Sequence, residues 1–243
     1  KQLTLPKEME SFSFDASGSR IAAVWDGGEP DNTWLMVGNA DGTGLEVVEP
    51  LGNNKTDVDV SFSPDNQVVA LYRQASNAGQ QEIIPLGRNQ ENFRSFTVDG
   101  LKFESKYSPS GNYLLYNASS AKDSYEPRLW LTEGATDSLG YSHTDLGLRT
   151  WADKCTFDSS GSSLYCAVPT TLPEGAGLFP ELAKDSADIF YRVDITSGVR
   201  VPLALPVGSQ SSYTAGNLFL SPDESQLYFV DQTTQRLHSI RLK

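Results

Sequence analysis

Phe62-Ser63-Pro64-Asp65-Asn66-Gln67-Val68-Val69 (FSPDNQVV) has the pattern of a tight turn between two strands. The aromatic residue at its start would anchor one strand. Pro64 presets the backbone of the turn, and Asn66 tolerates the positive φ that such a turn requires. An alternating apolar run continues from Val68 to Tyr72. This stretch therefore predicts a β-hairpin.

The same hairpin pattern occurs five times. The other copies are Phe14–Ile21 (FDASGSRI), Tyr107–Leu114 (YSPSGNYL), Phe157–Leu164 (FDSSGSSL) and Leu220–Leu227 (LSPDESQL). Their first residues lie 48, 45, 50 and 63 residues apart along the chain. Periods of this length fit the four-stranded blade of a β-propeller. Glu224 replaces the usual Gly or Asn, so we expect the last turn to be a variant.

The sequence thus predicts an all-β fold, a β-propeller of about five four-stranded antiparallel blades, with strands a to d in chain order. We expect one domain over residues 1–243, with blades near 11–50, 57–99, 102–145, 152–206 and 217–243. The last copy has no strand d, and residues 1–6 contain an unassigned strand. Pairing of that strand with the last blade would close the ring. The same pattern would arise if further blades preceded this chain.

The turns and the N-terminal strand resemble the WD40-like propeller repeats of the TolB type. Gln2-Leu3-Thr4 and Phe62-Ser63-Pro64-Asp65-Asn66 match the strand d and a–b turn patterns of that family. Such repeats occur in periplasmic TolB and in the propeller domains of prolyl oligopeptidases. Residues 153–169 and 218–243 are also similar to propeller domains of membrane-anchored bacterial envelope proteins. The resemblance implies a fold, since propellers serve many functions.

The composition of the chain restricts the kinds of molecule that the protein can bind. The formal net charge is −12, which argues against nucleic acid because phosphates require a basic surface. No apolar run is long enough to span a bilayer. An acidic surface favours a cationic partner, although such surfaces commonly serve solubility alone.

No pattern predicts an enzyme or a cofactor. The chain has no G-x-S-x-G motif, and His143 and His238 are its two histidines. It also has no C-x-x-C, H-E-x-x-H or calcium-loop motif, so we predict no metal site. Asp26, Glu29 and Asp31 are candidate carboxylates for a glycan-active site, with solvated loop acids as the commoner explanation.

The two cysteines flank the fourth hairpin. If Phe157 faces Leu164, then Cys155 lies opposite Cys166, within the reach of a cross-strand disulfide. A disulfide would indicate an oxidising, extracytoplasmic compartment. Two reduced core cysteines are the alternative.

The b–c connections are mostly long, at 27–32, 74–81, 118–126 and 169–188. We expect these loops to share a face with the d–a loops and to recognise another macromolecule. The candidate binding residues on this face are Asp31, Tyr125, Trp151, Leu178 and Phe179. We expect the side chains of the three aromatic residues to be exposed. A protein partner is the leading interpretation, and a carbohydrate-binding or glycan-active propeller is the alternative. Leu178 and Phe179 could instead only plug the end of the propeller.

Overall fold

The computed structural model describes residues 5–29, 31–77, 79–203 and 213–242. They form five consecutive antiparallel sheets, the blades of a β-propeller, which confirms the predicted fold class. Every sheet is a meander in which strands adjacent in sequence pair. The strands of blades 1 to 3 are β1 (Met9–Phe14), β2 (Arg20–Asp26), β3 (Thr33–Asn39), β4 (Glu46–Pro50), β5 (Val58–Val60), β6 (Val68–Ala75), β7 (Gln80–Gly87), β8 (Phe96–Asp99), β9 (Leu101–Tyr107), β10 (Tyr113–Ser119), β11 (Pro127–Glu133) and β12 (Thr144–Asp145). Those of blades 4 and 5 are β13 (Cys155–Phe157), β14 (Ser163–Pro169), β15 (Asp188–Asp194), β16 (Arg200–Pro202), β17 (Ala215–Leu220), β18 (Gln226–Asp231) and β19 (Arg236–Arg241).

Four short 3₁₀ helices interrupt the connections in the described residues. They are η1 (Lys55–Asp57), η2 (Ala121–Asp123), η3 (Ala152–Lys154) and η4 (Pro180–Ala183). Blade 5 has three strands in the described residues. Residues 1–4 of the predicted closing strand lie outside the described residues, so ring closure remains a prediction.

All five a–b turns have the same geometry. The fourth turn residue has a positive φ in every copy and donates its backbone N–H to the carbonyl of the first; these residues are Gly18, Asn66, Gly111, Gly161 and Glu224. The expectation of a variant last turn was therefore wrong. Glu224 adopts φ 54° although it has a side chain.

The first turn residue holds the hairpin through its side chain. In blade 1, the Asp15 carboxylate accepts the backbone N–H groups of Ser19 and Arg20 at 2.8 and 2.9 Å. In blade 2, the Ser63 hydroxyl accepts the N–H of Val68 at 2.9 Å. Asp and Ser are interchangeable here because each presents a short oxygen acceptor to the turn.

The chain is organised in two compact units, residues 1–98 with 133–141 (unit 1) and residues 99–132 with 142–243 (unit 2). In unit 1, blades 1 and 2 share an apolar core that includes Leu35, Phe62 and Val69. The segment 133–141 is held by Thr136, which donates to the Asp65 carboxylate at 2.6 Å. The Arg94 guanidinium also lies 4.8 Å from the centre of the Tyr141 ring.

Unit 2 contains two apolar cores. One packs Leu129, Leu164 and Val193 between blades 3 and 4, and the other packs Phe190 against Phe229 between blades 4 and 5. The ring centres of Phe190 and Phe229 are 4.8 Å apart. Each blade of unit 2 thus buries one face of its sheet against its neighbour, as stacked sheets do.

The predicted disulfide is present. Cys155 pairs with Cys166 across β13 and β14, with 4.1 Å between their Cα atoms, and both residues are fully buried. The sequence register was therefore correct. The bond joins the two strands in the core of blade 4.

One predicted loop is shorter than expected. β6 continues to Ala75 and β7 begins at Gln80, so the b–c connection of blade 2 spans only residues 76–79. The flanking Gln and Ala residues continue the ladder because its backbone hydrogen bonds do not depend on side-chain type.

Candidate functional site

The long b–c connection of blade 4 is an ordered insertion, residues 170–187. Its two ends are joined by the Thr170 N–H, which donates to the Ala187 carbonyl at 2.8 Å. Its middle is tied to the b–c loop of blade 3, because Gly175 and Gly177 donate to the carbonyls of Ser124 and Tyr125 at 2.9 and 2.8 Å. The loops of blades 3 and 4 therefore form one connected surface of unit 2.

Gly177 makes this contact possible. A Cβ atom added there would lie 1.9 Å from the Ser119 hydroxyl oxygen and 2.8 Å from the backbone nitrogen of Pro127. Only a residue without a side chain lets the two loops approach so closely. On the same side of the insertion, Ala176 and Ala183 pack against Trp151.

An open cavity of about 640 Å³ lies beside the insertion, entirely within unit 2. Two d–a and two b–c connections line it, together with residues of β9 and β17. Its polar and charged lining residues are Glu104, Asp153, Lys154, Lys184, Asp185, Thr214, Asn217, Gln232 and Thr233. Trp151, Pro180 and Ala183 supply apolar surface. We call this the unit 2 cavity.

Helix η3 places Asp153 and Lys154 on the cavity lining, its N-cap residue is Trp151, and a buried amide holds the helix. The backbone N–H of Ala152 donates to the Asn117 carbonyl oxygen at 2.8 Å, and the Asn117 amide group donates to the Lys102 carbonyl at 3.1 Å. Asn117 is fully buried. This amide satisfies a donor at the helix N-terminus that has no partner within the helix.

A buried ion pair lies beneath the cavity. The Lys154 ammonium donates to both carboxylate oxygens of Asp188, each at 2.8 Å, and Asp188 also accepts the backbone N–H of Ala215 at 2.6 Å. Both charged side chains are buried. The pair connects the d–a loop before blade 4 to strand β15 and to the first residue of β17.

Asp153 has a different environment. Its side chain is exposed to the cavity, and desolvation by the surrounding protein raises its pKa although the Lys154 and Lys106 ammonium groups act in the opposite direction. Burial in turn lowers the pKa of Lys106, and the Asp153 carboxylate opposes that change. The Lys106 ammonium donates to the Cys155 carbonyl at 2.7 Å.

The predicted binding residues fall in two places. Tyr125, Leu178 and Phe179 lie on the connected b–c loops of unit 2, and Trp151 lies on the d–a connection before blade 4, packed against the insertion. Phe179 is 56% exposed, whereas Leu178 and Tyr125 are partly buried. Trp151 is only 7% exposed, so the expectation of an exposed aromatic was wrong there. It is covered because the blade 4 insertion folds back over it.

Asp31 lies in unit 1, in a separate cavity of about 300 Å³. Asp26 and Glu29 line the same cavity. The Lys55 ammonium pairs there with Asp26 and, at 2.8 Å, with Glu10. Of the three candidate carboxylates, Asp26 is therefore partly neutralised by a lysine close in space.

Sequence reasoning missed Asn117, Lys154 and Asp188. Asn117 begins an Asn-Ala-Ser glycosylation sequon, yet its burial gives it a structural role. Nothing in the local sequence marks a Lys and an Asp that are 34 residues apart as partners.

Within the described ranges, no group of three or more His, Cys, Asp or Glu side chains is placed to hold a metal ion. The same ranges contain no helix long and apolar enough to cross a membrane.

Comparison with known proteins identifies the fold. No protein-family model and no curated protein matches the chain in sequence. Its structure is similar to TolB from Acinetobacter baumannii, with TM-score 0.55, 16% identity, and coverage of 97% of this chain and 54% of that one. It therefore spans about half the length of that TolB.

Two further solved structures are similar to the chain. An oligogalacturonate lyase in complex with manganese has TM-score 0.60 and 11% identity, over 99% of this chain and 68% of the lyase. The β-propeller domain of the Trilobed protease from Pyrococcus furiosus has TM-score 0.51 and 10% identity, over 91% of this chain and 64% of that one. These likenesses confirm the TolB-type propeller fold; some neighbours are enzymes, so the fold does not decide the activity.

Proposed function

We propose that this chain is a non-catalytic, extracytoplasmic binding propeller that recognises a protein through the long-loop surface of unit 2. The ordered insertion of blade 4 carries the proposal. Its inner side packs on Trp151 through Ala176 and Ala183, while Phe179 and Leu182 stay 56% and 50% exposed. Exposed large apolar side chains on a well-ordered loop are typical of protein recognition, since little entropy is lost on binding.

The compartment is part of the same proposal. A buried disulfide in blade 4 supports an oxidising location, because cytosolic proteins keep their thiols reduced. The structural likeness to TolB supports a scaffold of this kind but does not select a partner.

The test is capture of a binding partner from an envelope extract of the source cells by the immobilised chain. A Phe179→Ser/Leu182→Ser variant should lose the captured protein. The matched control is Val199→Ser/Val201→Ser on and beside β16, which also removes two apolar side chains that are 55% and 50% exposed. Equal capture by wild type and the Phe179/Leu182 variant, or no specific capture by wild type, would contradict the proposal.

A carbohydrate ligand is the second candidate. The hydroxyl and amide groups of Thr233, Asn217 and Gln232 on the cavity lining favour it, because they can bind sugar hydroxyls. Binding to a neutral glycan on an array, lost on Gln232→Ala, would support this alternative. Turnover of a bound glycan would overturn the non-catalytic part of the proposal.

A further inference from the structure

A second open cavity of unit 2, about 450 Å³ in volume, is formed largely by blade 5. It is lined by Asp185 of the blade 4 insertion, by the turn between β18 and β19, and by residues of β19 itself. Arg236 and His238 both line it, because they are two residues apart on β19 and so project from the same face of the sheet. Its volume is in the range of sites that bind small ligands. We call it the blade 5 cavity.

The Arg236 guanidinium has no partner where one would be expected. Asp231 lies directly opposite Arg236 on β18, and such cross-strand pairs of opposite charge commonly form an ion pair. The buried Asp231 carboxylate instead accepts the Thr214 N–H at 3.2 Å, the Thr234 N–H at 3.2 Å and the Thr234 hydroxyl at 2.6 Å. Among the described residues, the Arg236 side chain therefore has no hydrogen bond and no ion pair.

An aromatic cluster holds two further donors on the wall of this cavity. The ring centres of Tyr213 and His238 are 4.6 Å apart, and each lies 5.4 Å from the ring of Phe229. Phe229 is fully buried, so its contacts fix the orientation of the two partly buried rings. Within the ranges that the structure describes, neither the Tyr213 hydroxyl nor the His238 imidazole forms a hydrogen bond. A few fixed polar groups on a cavity wall are what orient a bound ligand.

These three groups are suited to a carboxylate. A guanidinium binds a carboxylate through two parallel N–H···O bonds, and a phenol hydroxyl and an imidazole N–H donate to the same oxygens. Asp185 also lines the cavity and forms no ion pair in the described part of the chain. It repels a doubly charged phosphate more strongly than a singly charged carboxylate, and it accepts a hydrogen bond from a neighbouring N–H or O–H of the ligand. The net charge of −12 disfavours polyanions for the same reason.

We infer that the blade 5 cavity binds a single carboxylate that has an N–H or O–H group beside it, with Arg236 as the cationic contact and Tyr213 and His238 as further donors. The free C-terminus of a peptide and a small amino-acid derivative both have this chemistry. The site uses other side chains than the exposed Phe179 and Leu182, and it does not depend on the proposed function.

The first experiment titrates the chain with N-acetyl-alanine and with acetyl-Ala-Ala-Ala at constant ionic strength, and follows the histidine ring resonances by NMR. The matched probes are the C-terminal amides of both molecules, which lack the charge. The chain has two histidines, so a His143→Gln variant assigns the resonances of His238. We expect the acids to shift these resonances and to bind at least about tenfold more tightly than the amides. Equal binding of acid and amide, or no shift of His238, would overturn the inference.

The comparison of the two acids identifies the source of the carboxylate. Equal affinities would indicate a site for a small carboxylic acid, whereas tighter binding of the tripeptide would indicate a site for a chain end, and both outcomes support a carboxylate site. Inorganic phosphate is the third probe. Tighter binding of phosphate than of either acid would contradict the assigned ligand class.

The second experiment uses Arg236→Gln, which should weaken binding of the acids by at least about tenfold. Arg241→Gln is the matched control, because Arg241 lies on the same strand with its side chain on the other face, and we expect less than about a twofold effect. Equal losses in the two variants would reduce the effect to net charge and overturn the site. Tyr213→Phe removes only a hydroxyl and should weaken binding by about three- to tenfold, which keeps the test decisive if Arg236→Gln lowers the unfolding temperature. Unchanged binding by Tyr213→Phe would contradict the assigned donor.

Discussion

Glu224 shows how strongly the hairpin turn is specified at the scale of one residue. It occupies a left-handed position where the other four copies have Gly or Asn, and it has φ 54°. Its carboxylate accepts the backbone N–H of Ser159 in the neighbouring turn of blade 4 at 2.7 Å. This hydrogen bond between adjacent blades gives a physical reason for a side chain in a strained position.

Substitution of Glu224 separates the stabilisation by this hydrogen bond from the cost of the left-handed backbone. Glu224→Ala removes the acceptor but keeps the strain, so we expect it to lower the free energy of unfolding by about 1 kcal/mol. Glu224→Gly also relieves the strain of the left-handed backbone, which is worth roughly 1 kcal/mol, and should be close to wild type. Urea unfolding monitored by tryptophan fluorescence measures both. If glycine were no better than alanine, the left-handed conformation would carry no cost at this position.

Asp223, in the same turn, makes the stability depend on pH. Hydrogen bonds from the hydroxyls of Ser221 and Ser225, together with the Ser225 N–H, lower its pKa from 3.8 to about 2. A carboxyl with a lowered pKa stabilises the folded state above its ordinary pKa, and this contribution is lost as the pH falls towards about 2. We therefore expect Asp223→Ala to lower the unfolding temperature at pH 6 and to have almost no effect near pH 2. A difference that grew on acidification would contradict the assignment.

At the scale of elements, the blade 4 insertion is ordered by its fit against the b–c loop of blade 3. Gly177 permits this fit, since an added Cβ would collide with backbone as well as side-chain atoms. We expect Gly177→Ala to destabilise the docked loop by roughly 1–3 kcal/mol, as overpacking commonly does.

Limited proteolysis with thermolysin measures that effect. Cleavage between Leu172 and Leu182, mapped by mass spectrometry, should become about tenfold faster in Gly177→Ala, because the open loop is more populated. Glu174→Ala, an exposed substitution in the same insertion, should leave the rate unchanged. Equal cleavage in all three proteins would mean that the insertion does not depend on this close approach.

At the scale of the whole molecule, the disulfide links stability to the compartment in which the protein works. Removing it with Cys155→Ala/Cys166→Ala should cost about 3 kcal/mol and lower the unfolding temperature by roughly 6–12 °C. Reductant should lower the unfolding temperature of wild type by a similar amount and leave the variant unaffected. Two titratable thiols in the denatured, unreduced protein would contradict both the bond and the proposed oxidising location.

Much of the fold could be predicted because its signals are local. Each a–b turn lies within eight residues, and its Pro, Gly, Asn and Ser side chains act on the backbone next to them. Strand register follows from the turn, which is why Cys155 could be paired with Cys166. Glu224 was misjudged because residue preference is weaker than the geometry imposed by the two strands it joins.

The candidate site could be predicted only in outline. The long b–c loops drew attention to the part of unit 2 where the candidate site is proposed, and Phe179 is exposed there as expected. Trp151 was expected at the surface, yet the insertion covers it, which no local pattern indicates. The burial of Trp151 and the cavity beside the insertion became visible only with the loops in place.

The sequence by itself determined the five hairpins, their antiparallel order and the pairing of the cysteines, because each depends on residues close together in the chain. Only the tertiary structure decided which side chains meet at the candidate site. Lys154 meets Asp188, and Asn117 holds Ala152, across 34 and 35 residues. Such contacts depend on how blades and loops pack, since burial and electrostatic pairing are properties of neighbours in space rather than of neighbours in sequence.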